Sequence, residues 1–187
     1  MSSIVSYPSP LTWDEFLALP FETRNAALVD GEVVVNPPNA QHELIVQNLV
    51  AAFREWRRAA PGRGEVSTQQ PVKINTRRGY QPDVMWYPAE VCAPPDEPAS
   101  FSGPPALVME ILSPSTRSFD LIRKRGDFEQ VGIAEVWFVD PRDRRVLQCQ
   151  RPSPGVAYAD RELAPGDTLT SPLLDGFAVP VDDLFRR

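Results

Sequence analysis

The sequence predicts a mixed α/β (α+β) fold, a β-sheet of mixed direction flanked by helices. Three observations carry that expectation. Apolar segments of strand length recur around 27–35, 83–87, 106–112 and 135–139. Two helical patterns, 40–59 and 119–131, interrupt them without regular alternation. At 187 residues the chain is long enough for one domain, 1–187, with a sizeable core.

Taken in order, Thr12-Trp13-Asp14-Glu15 matches a capping box, so a short helix should bury Trp13, Phe16 and Leu17 until Pro20 stops it. In Ala27 to Val35, Asp30-Gly31 separates two apolar runs, the pattern of a tight hairpin closed by Pro37 and Pro38. Asn39 can cap the next helix, where Ile45, Leu49, Ala52, Phe53 and Trp56 make one stripe. Arg54, Arg57 and Arg58 fall in its last turns, where cations suit the helix dipole. Extended segments are expected at Glu65 to Ile74 and Asp83 to Tyr87, with Arg77-Arg78-Gly79 as a solvated turn. Residues 88–105 hold six of the 21 prolines and little periodicity, which marks a surface excursion. After a strand from Ala106 to Leu112, Ser118 is expected to cap a helix from Phe119 to Val131, with Leu121, Ile122 and Val131 toward the core and Gly132 ending it. Strands follow at 135–139, 144–151 and 156–163. Asp30 and Asp140 read as turn residues, Trp86 and Trp137 as core.

Composition narrows the function classes. Net charge is −6, which argues against coating nucleic acid by bulk electrostatics. No apolar run approaches the roughly 20 residues that span a bilayer, so no membrane partner is expected. The N-terminus lacks a basic region and apolar core, and Cys92 and Cys149 lack metal-ligand spacing. A cytoplasmic protein with reduced thiols is the expectation.

The chemistry concentrates between Pro82 and Lys124. Asp83 opens one apolar strand and Glu110 interrupts another. Buried carboxylates need cations or hydrogen bonds, so a metal site is one explanation. The other is that Asp83 caps a turn and Glu110 pairs with an arginine. Lys124 is one of two lysines against seventeen arginines and sits between Arg123 and Arg125. Asp120, four residues earlier, can pair with it. His42, the only histidine, reads as a helix-end or packing residue.

The ordered set Leu28-Val29-Asp30-Gly31-Glu32, Pro37-Pro38 with His42, Gln81-Pro82-Asp83-Val84, Met109 to Thr116, Asp120 with Lys124, and Gly132 to Pro141 resembles the Uma-two type putative restriction endonuclease family, of the PD-(D/E)XK superfamily. The resemblance spans Thr12 to Phe185 and implies a restriction endonuclease-like core that hydrolyses DNA phosphodiester bonds with Mg²⁺ or Mn²⁺. It implies Asp83, Glu110 and Lys124 as catalytic residues, and Asp83, Glu110 and the Ile111 carbonyl as metal ligands. The lysine has moved to the helix, since position 112 is Leu. The resemblance also draws His42 toward the rim of the metal site.

Three positions depart from the family pattern: Ala27 where a glutamate is usual, Gln81 where arginine is frequent, and Phe128 where tyrosine is usual. If the missing glutamate binds metal, Glu32 or Glu43 would have to replace it. Two functions therefore stand side by side: a divalent-metal-dependent DNA endonuclease, and a catalytically inactive interaction domain with the nuclease fold. A homodimer would suit cutting both strands.

Overall fold

The computed structural model describes residues 3–5, 9–19, 26–35, 39–68, 70–94, 96–114 and 116–187. In chain order the elements are β1 (Ser3–Val5), α1 (Trp13–Leu17), β2 (Ala26–Val29), β3 (Glu32–Val35), α2 (Ala40–Arg58), β4 (Glu65–Ser67), β5 (Val72–Asn75), β6 (Arg78–Tyr80), β7 (Val84–Tyr87) and β8 (Leu107–Ile111). A helix that carries the site follows: Arg117–Phe119, a π-helical turn over Asp120–Lys124, then Arg125–Gln130. The remainder is β9 (Glu135–Asp140), β10 (Arg145–Gln150), β11 (Ala159–Leu163), β12 (Thr168–Thr170), β13 (Ala178–Pro180) and a 3-10 turn, Val181–Phe185.

Six strands form a sheet of order β11-β10-β9-β8-β7-β4, five form a second sheet of order β1-β3-β2-β6-β5, and β12-β13 make a ribbon. In the six-stranded sheet β8 and β9 run parallel, while β7 and β10 pair antiparallel with them. The mixed sheet between helices is the architecture the sequence predicts. Strands β7, β8 and β9 are buried on both faces, which is why they read as near-continuous apolar runs. One face sends Trp86, Met109 and Trp137 against Leu49 and Phe53 of α2. The other packs Met85, Val108 and Phe138 against Phe128 of the site helix and Tyr80 of the second sheet.

Local chemistry sets the boundaries. The Thr12/Glu15 capping box is formed. Asp30 and Gly31 take φ of 53° and 89° in the β2–β3 turn, a conformation that aspartate tolerates and glycine adopts freely. The Asn39 side chain accepts the His42 N–H at 3.0 Å and starts α2. Gly132, at φ 86°, follows the end of the site helix.

Several expectations change. Glu65 to Ile74 is not one strand: β4 joins the large sheet and β5 the smaller one, split around Pro71, which cannot donate to a ladder. Arg77-Arg78-Gly79 is not a solvated turn, because Arg78–Tyr80 is β6. Gly79 serves a close approach instead: a Cβ there would lie 2.1 Å from the Trp13 ring. The site helix starts at Arg117, so Ser118 lies inside it rather than capping it. Ile122 is 76% exposed and Leu17 45%, against their predicted burial. Pro20, Pro37, Pro38 and Ser115 lie outside the described residues.

An ion-pair cluster ties the hairpin to the site helix. Arg78 bonds Asp30 through one nitrogen and reaches Asp127 Oδ1 at 3.0 Å through the other. Arg123 adds a 2.7 Å contact to Asp30, and the Tyr80 hydroxyl donates to Asp127. Asp30 is thus more than a turn residue. Asp140 likewise caps its own turn by accepting the Arg142 N–H at 2.9 Å and also pairs with Arg117.

The Arg78 hydrogen bond holds the Asp30 pKa below the ordinary aspartate value, with Arg123 adding to it. A carboxyl with a depressed folded pKa stabilises the fold above its unfolded pKa and loses that contribution as pH falls through the folded value. Thermal melts should therefore show Asp30→Asn below wild type at neutral pH, with the gap closing under about pH 4. Asparagine tolerates the same backbone conformation, so the charge is what changes.

Candidate active site

Strand pairing brings the two acids together. Val84 lies opposite Met109 and Met85 opposite Val108. Continuing that register by one residue sets Asp83 across from Glu110, on the face turned toward the site helix. Asp83 Oδ2 accepts the Ile111 N–H at 2.8 Å, so the backbone of β8 orients the carboxylate that precedes β7. The His42 Nε2, from the first turn of α2, stands 3.1 Å from the same oxygen.

The helix supplies the cation. Lys124 Nζ lies 2.9 Å from Glu110 Oε2 and 3.1 Å from Asp120 Oδ1. Asp120 and Lys124 begin and end the π-turn. Residues four apart lie on one helix face, so both side chains can reach one hollow. The Tyr80 ring lies under the ammonium, 5.6 Å from it.

These groups share one cavity of about 240 Å³. Its polar end is Asp83, Glu110, Asp120, Lys124 and His42; its walls include Ala27, Val29, Val34 and Phe119. The three residues singled out from the sequence as catalytic therefore meet in a common hollow. Asp120 and His42 belong to the same cluster, each in contact with one of the three.

The charges are unbalanced. Three carboxylates face one ammonium and one imidazole. Burial works against the Lys124 ammonium, but Glu110, Asp120 and Asp83 outweigh it and raise the lysine pKa, so it stays protonated. Burial raises the Glu110 pKa; Lys124 opposes this, while Asp83 and Asp120 reinforce it, and the balance is upward. Burial alone would depress His42, yet the bond to Asp83 and the charges of Asp83 and Glu43 shift its pKa upward.

The donor set fits a hard dication. Glu110 Oε1 is buried and has no hydrogen-bond partner, although its other oxygen is paired. Among the described residues no three Asp, Glu, His or Cys side chains are grouped to hold an ion by themselves. Mg²⁺ suits such a site, since it takes one or two carboxylates and completes its shell with water and substrate phosphate. Asp83 and Glu110 are the carboxylates that would hold it.

The family departures map onto the same place. Ala27 and Gln81 line the cavity. Glu32 is exposed on β3, and Glu43 lies 4.0 Å from His42 Nδ1; neither is a described lining residue. Phe128 is buried beneath Tyr80, with ring centroids 5.6 Å apart. Sequence reading missed the apolar walls and the Arg78–Asp127–Tyr80 support. Only the alternation of 27 and 29 along β2, and the cross-strand pairing of Ala27 with Val34, could have placed those walls.

A mixed sheet that offers neighbouring carboxylates to a helix-borne lysine places the chain in the restriction endonuclease-like class of nuclease folds. More narrowly, the chain belongs to the Uma2 family, described as putative restriction endonuclease, whose profile matches residues 13–182. Among solved structures it is similar to a putative nuclease belonging to DUF820 from Anabaena variabilis. That likeness has a TM-score of 0.78 at 18% identity, covering 94% of this chain and 98% of that one. At that identity it establishes the fold. No curated protein matches the chain in sequence.

Removing the ammonium should leave an uncompensated acidic cluster. In chelator-treated protein, Lys124→Met is expected to lower stability to urea at neutral pH by about 3–5 kcal/mol, as for other broken buried pairs. The deficit should widen as pH rises past about 8, the value to which the Glu110 pKa is already pushed, because Glu110 must then ionise without the ammonium beside it. A loss independent of pH would show that packing, not charge, holds Lys124 in place.

Proposed function

We propose that this protein is a divalent-metal-dependent endonuclease that hydrolyses DNA phosphodiester bonds, with Asp83, Glu110 and Lys124 as its catalytic residues. The observation that carries the reading is the shared hollow in which Lys124 Nζ meets Glu110 Oε2 at 2.9 Å beside Asp83. The family assignment supports the same chemistry.

Asp83, Glu110 and the main-chain carbonyl of Ile111 would hold Mg²⁺ or Mn²⁺, which supplies Lewis acidity toward the phosphate and activates water. The Ile111 N–H and His42 Nε2 both engage Asp83 Oδ2 and so fix the carboxylate at the cavity. Lys124, kept charged by its acidic neighbours, donates hydrogen bonds to phosphoryl oxygens as negative charge gathers there. Asp120 holds the ammonium from the helix side, so Lys124 can turn from Glu110 to substrate without losing all compensation. Unbridged Cys92 and Cys149 agree with a cytoplasmic setting. A homodimer would place two such sites on opposite strands of one duplex.

Plasmid nicking in Mn²⁺ tests the reading. Wild type should nick, and Asp83→Ala, Glu110→Ala and Lys124→Ala should each fall by about 10²–10³-fold while circular dichroism shows a retained fold. Mn²⁺ should also raise the melting temperature of wild type but not of Asp83→Ala or Glu110→Ala. Wild type that neither nicks nor gains stability from Mn²⁺ or Mg²⁺ would instead favour an inactive nuclease-fold interaction domain, the reading to which Ala27 lends weight.

A further inference from the structure

We infer that the apolar half of the cavity is a nucleobase subsite, so that the substrate strand enters as an unstacked nucleotide. This deepens the nuclease reading and rests on it.

Depth is the first argument. The Glu110 side chain is 5% exposed, Asp120 4% and Lys124 15%, at the polar end of a cavity of about 240 Å³. A stacked duplex is rigid over many base pairs, with grooves about 12 and 6 Å wide, and cannot follow its own phosphate into a hollow of that size. A phosphate that reaches Lys124 must leave the duplex contour, and the attached base comes with it.

Wall chemistry is the second. Ala27, Val29 and Val34 present aliphatic surface from the hairpin, and Phe119 presents a ring from the site helix. A phosphate group alone has no use for such walls. A base has two apolar faces and stacks on aromatic side chains whatever its sequence. The ring is held for that purpose: Tyr80 meets Phe119 edge-on with centroids 6.2 Å apart, and the Tyr80 hydroxyl is anchored on Asp127. The geometry gives one stacking platform beside one ammonium and two carboxylates from adjacent strands, room for a single nucleotide.

Binding of end-labelled DNA, followed by anisotropy in Ca²⁺, tests this separately from cleavage. The probes are a single strand, its intact duplex, the duplex with one unpaired nucleotide, and a single strand of abasic residues. The base-bearing single strand, the unpaired-nucleotide duplex or both should bind wild type about tenfold tighter than the intact duplex and the abasic strand. Which of them binds separates free strands from nucleotides turned out of a helix. Val34→Phe, which fills the cavity, and Phe119→Ala, which removes the platform, should each erase the preference in proteins whose melting curves show a cooperative fold. Equal binding of the intact duplex or the abasic strand, no binding of any probe, or a preference untouched in both variants would overturn the subsite. Parallel reactions in Mn²⁺ keep the two claims apart. A binding preference without cleavage defeats the nuclease reading and leaves the subsite; cleavage without the preference does the reverse.

Discussion

The ammonium of Lys124, set between Glu110 and Asp120, is the interaction on which the remaining architecture depends. Three carboxylates within one hollow repel each other and lose hydration on burial, and no apolar packing repairs that. A cation must be delivered at hydrogen-bonding distance. The chain does so from a helix whose other contacts are fixed elsewhere: Phe128 in the core, Asp127 on Arg78 and Tyr80, and Arg123 on the hairpin turn. Both sheets and the helix are therefore needed to keep one charge in place. The large sheet supplies the acids, the smaller one a wall of the cavity and the residues that brace the helix.

Much of this was legible in the sequence because it rests on local signals. A capping box, an Asp-Gly turn and a stripe of apolar residues each act within a few positions, and α1, the β2–β3 hairpin and α2 follow them. The acids were legible because a charge inside an apolar strand has few explanations. What stayed hidden depends on distant partners. Arg78 and Gly79 look like turn residues until Trp13, more than sixty positions earlier, is seen lying on the glycine. The division of 65–74 between two sheets is a tertiary choice, made by which neighbours offer free strand edges. Ile122 looked like core because it is apolar, yet at about 100° per residue it lies on the helix face opposite Asp120 and Lys124, and it is exposed.

The acidic net charge and a nuclease-type site are not in conflict. Bulk charge governs long-range attraction, which salt screens within about 10 Å, whereas a cavity acts through the few groups that line it. Ala27 bears on the same point. An alanine there withholds one more negative charge from a cluster that already exceeds its cations, and it widens the hollow where a longer side chain would stand.

The π-turn makes the site depend on residue count as well as residue identity. Each helical residue advances the chain by about 100°. Loss or gain of a single position between Asp120 and Lys124 would change their spacing from four residues and turn one side chain by about that angle relative to the other, breaking the pair that holds the ammonium beside Glu110. Surface loops commonly absorb length changes, but this five-residue stretch has no such freedom. In lineages that share this arrangement, its length should be guarded as closely as its chemistry.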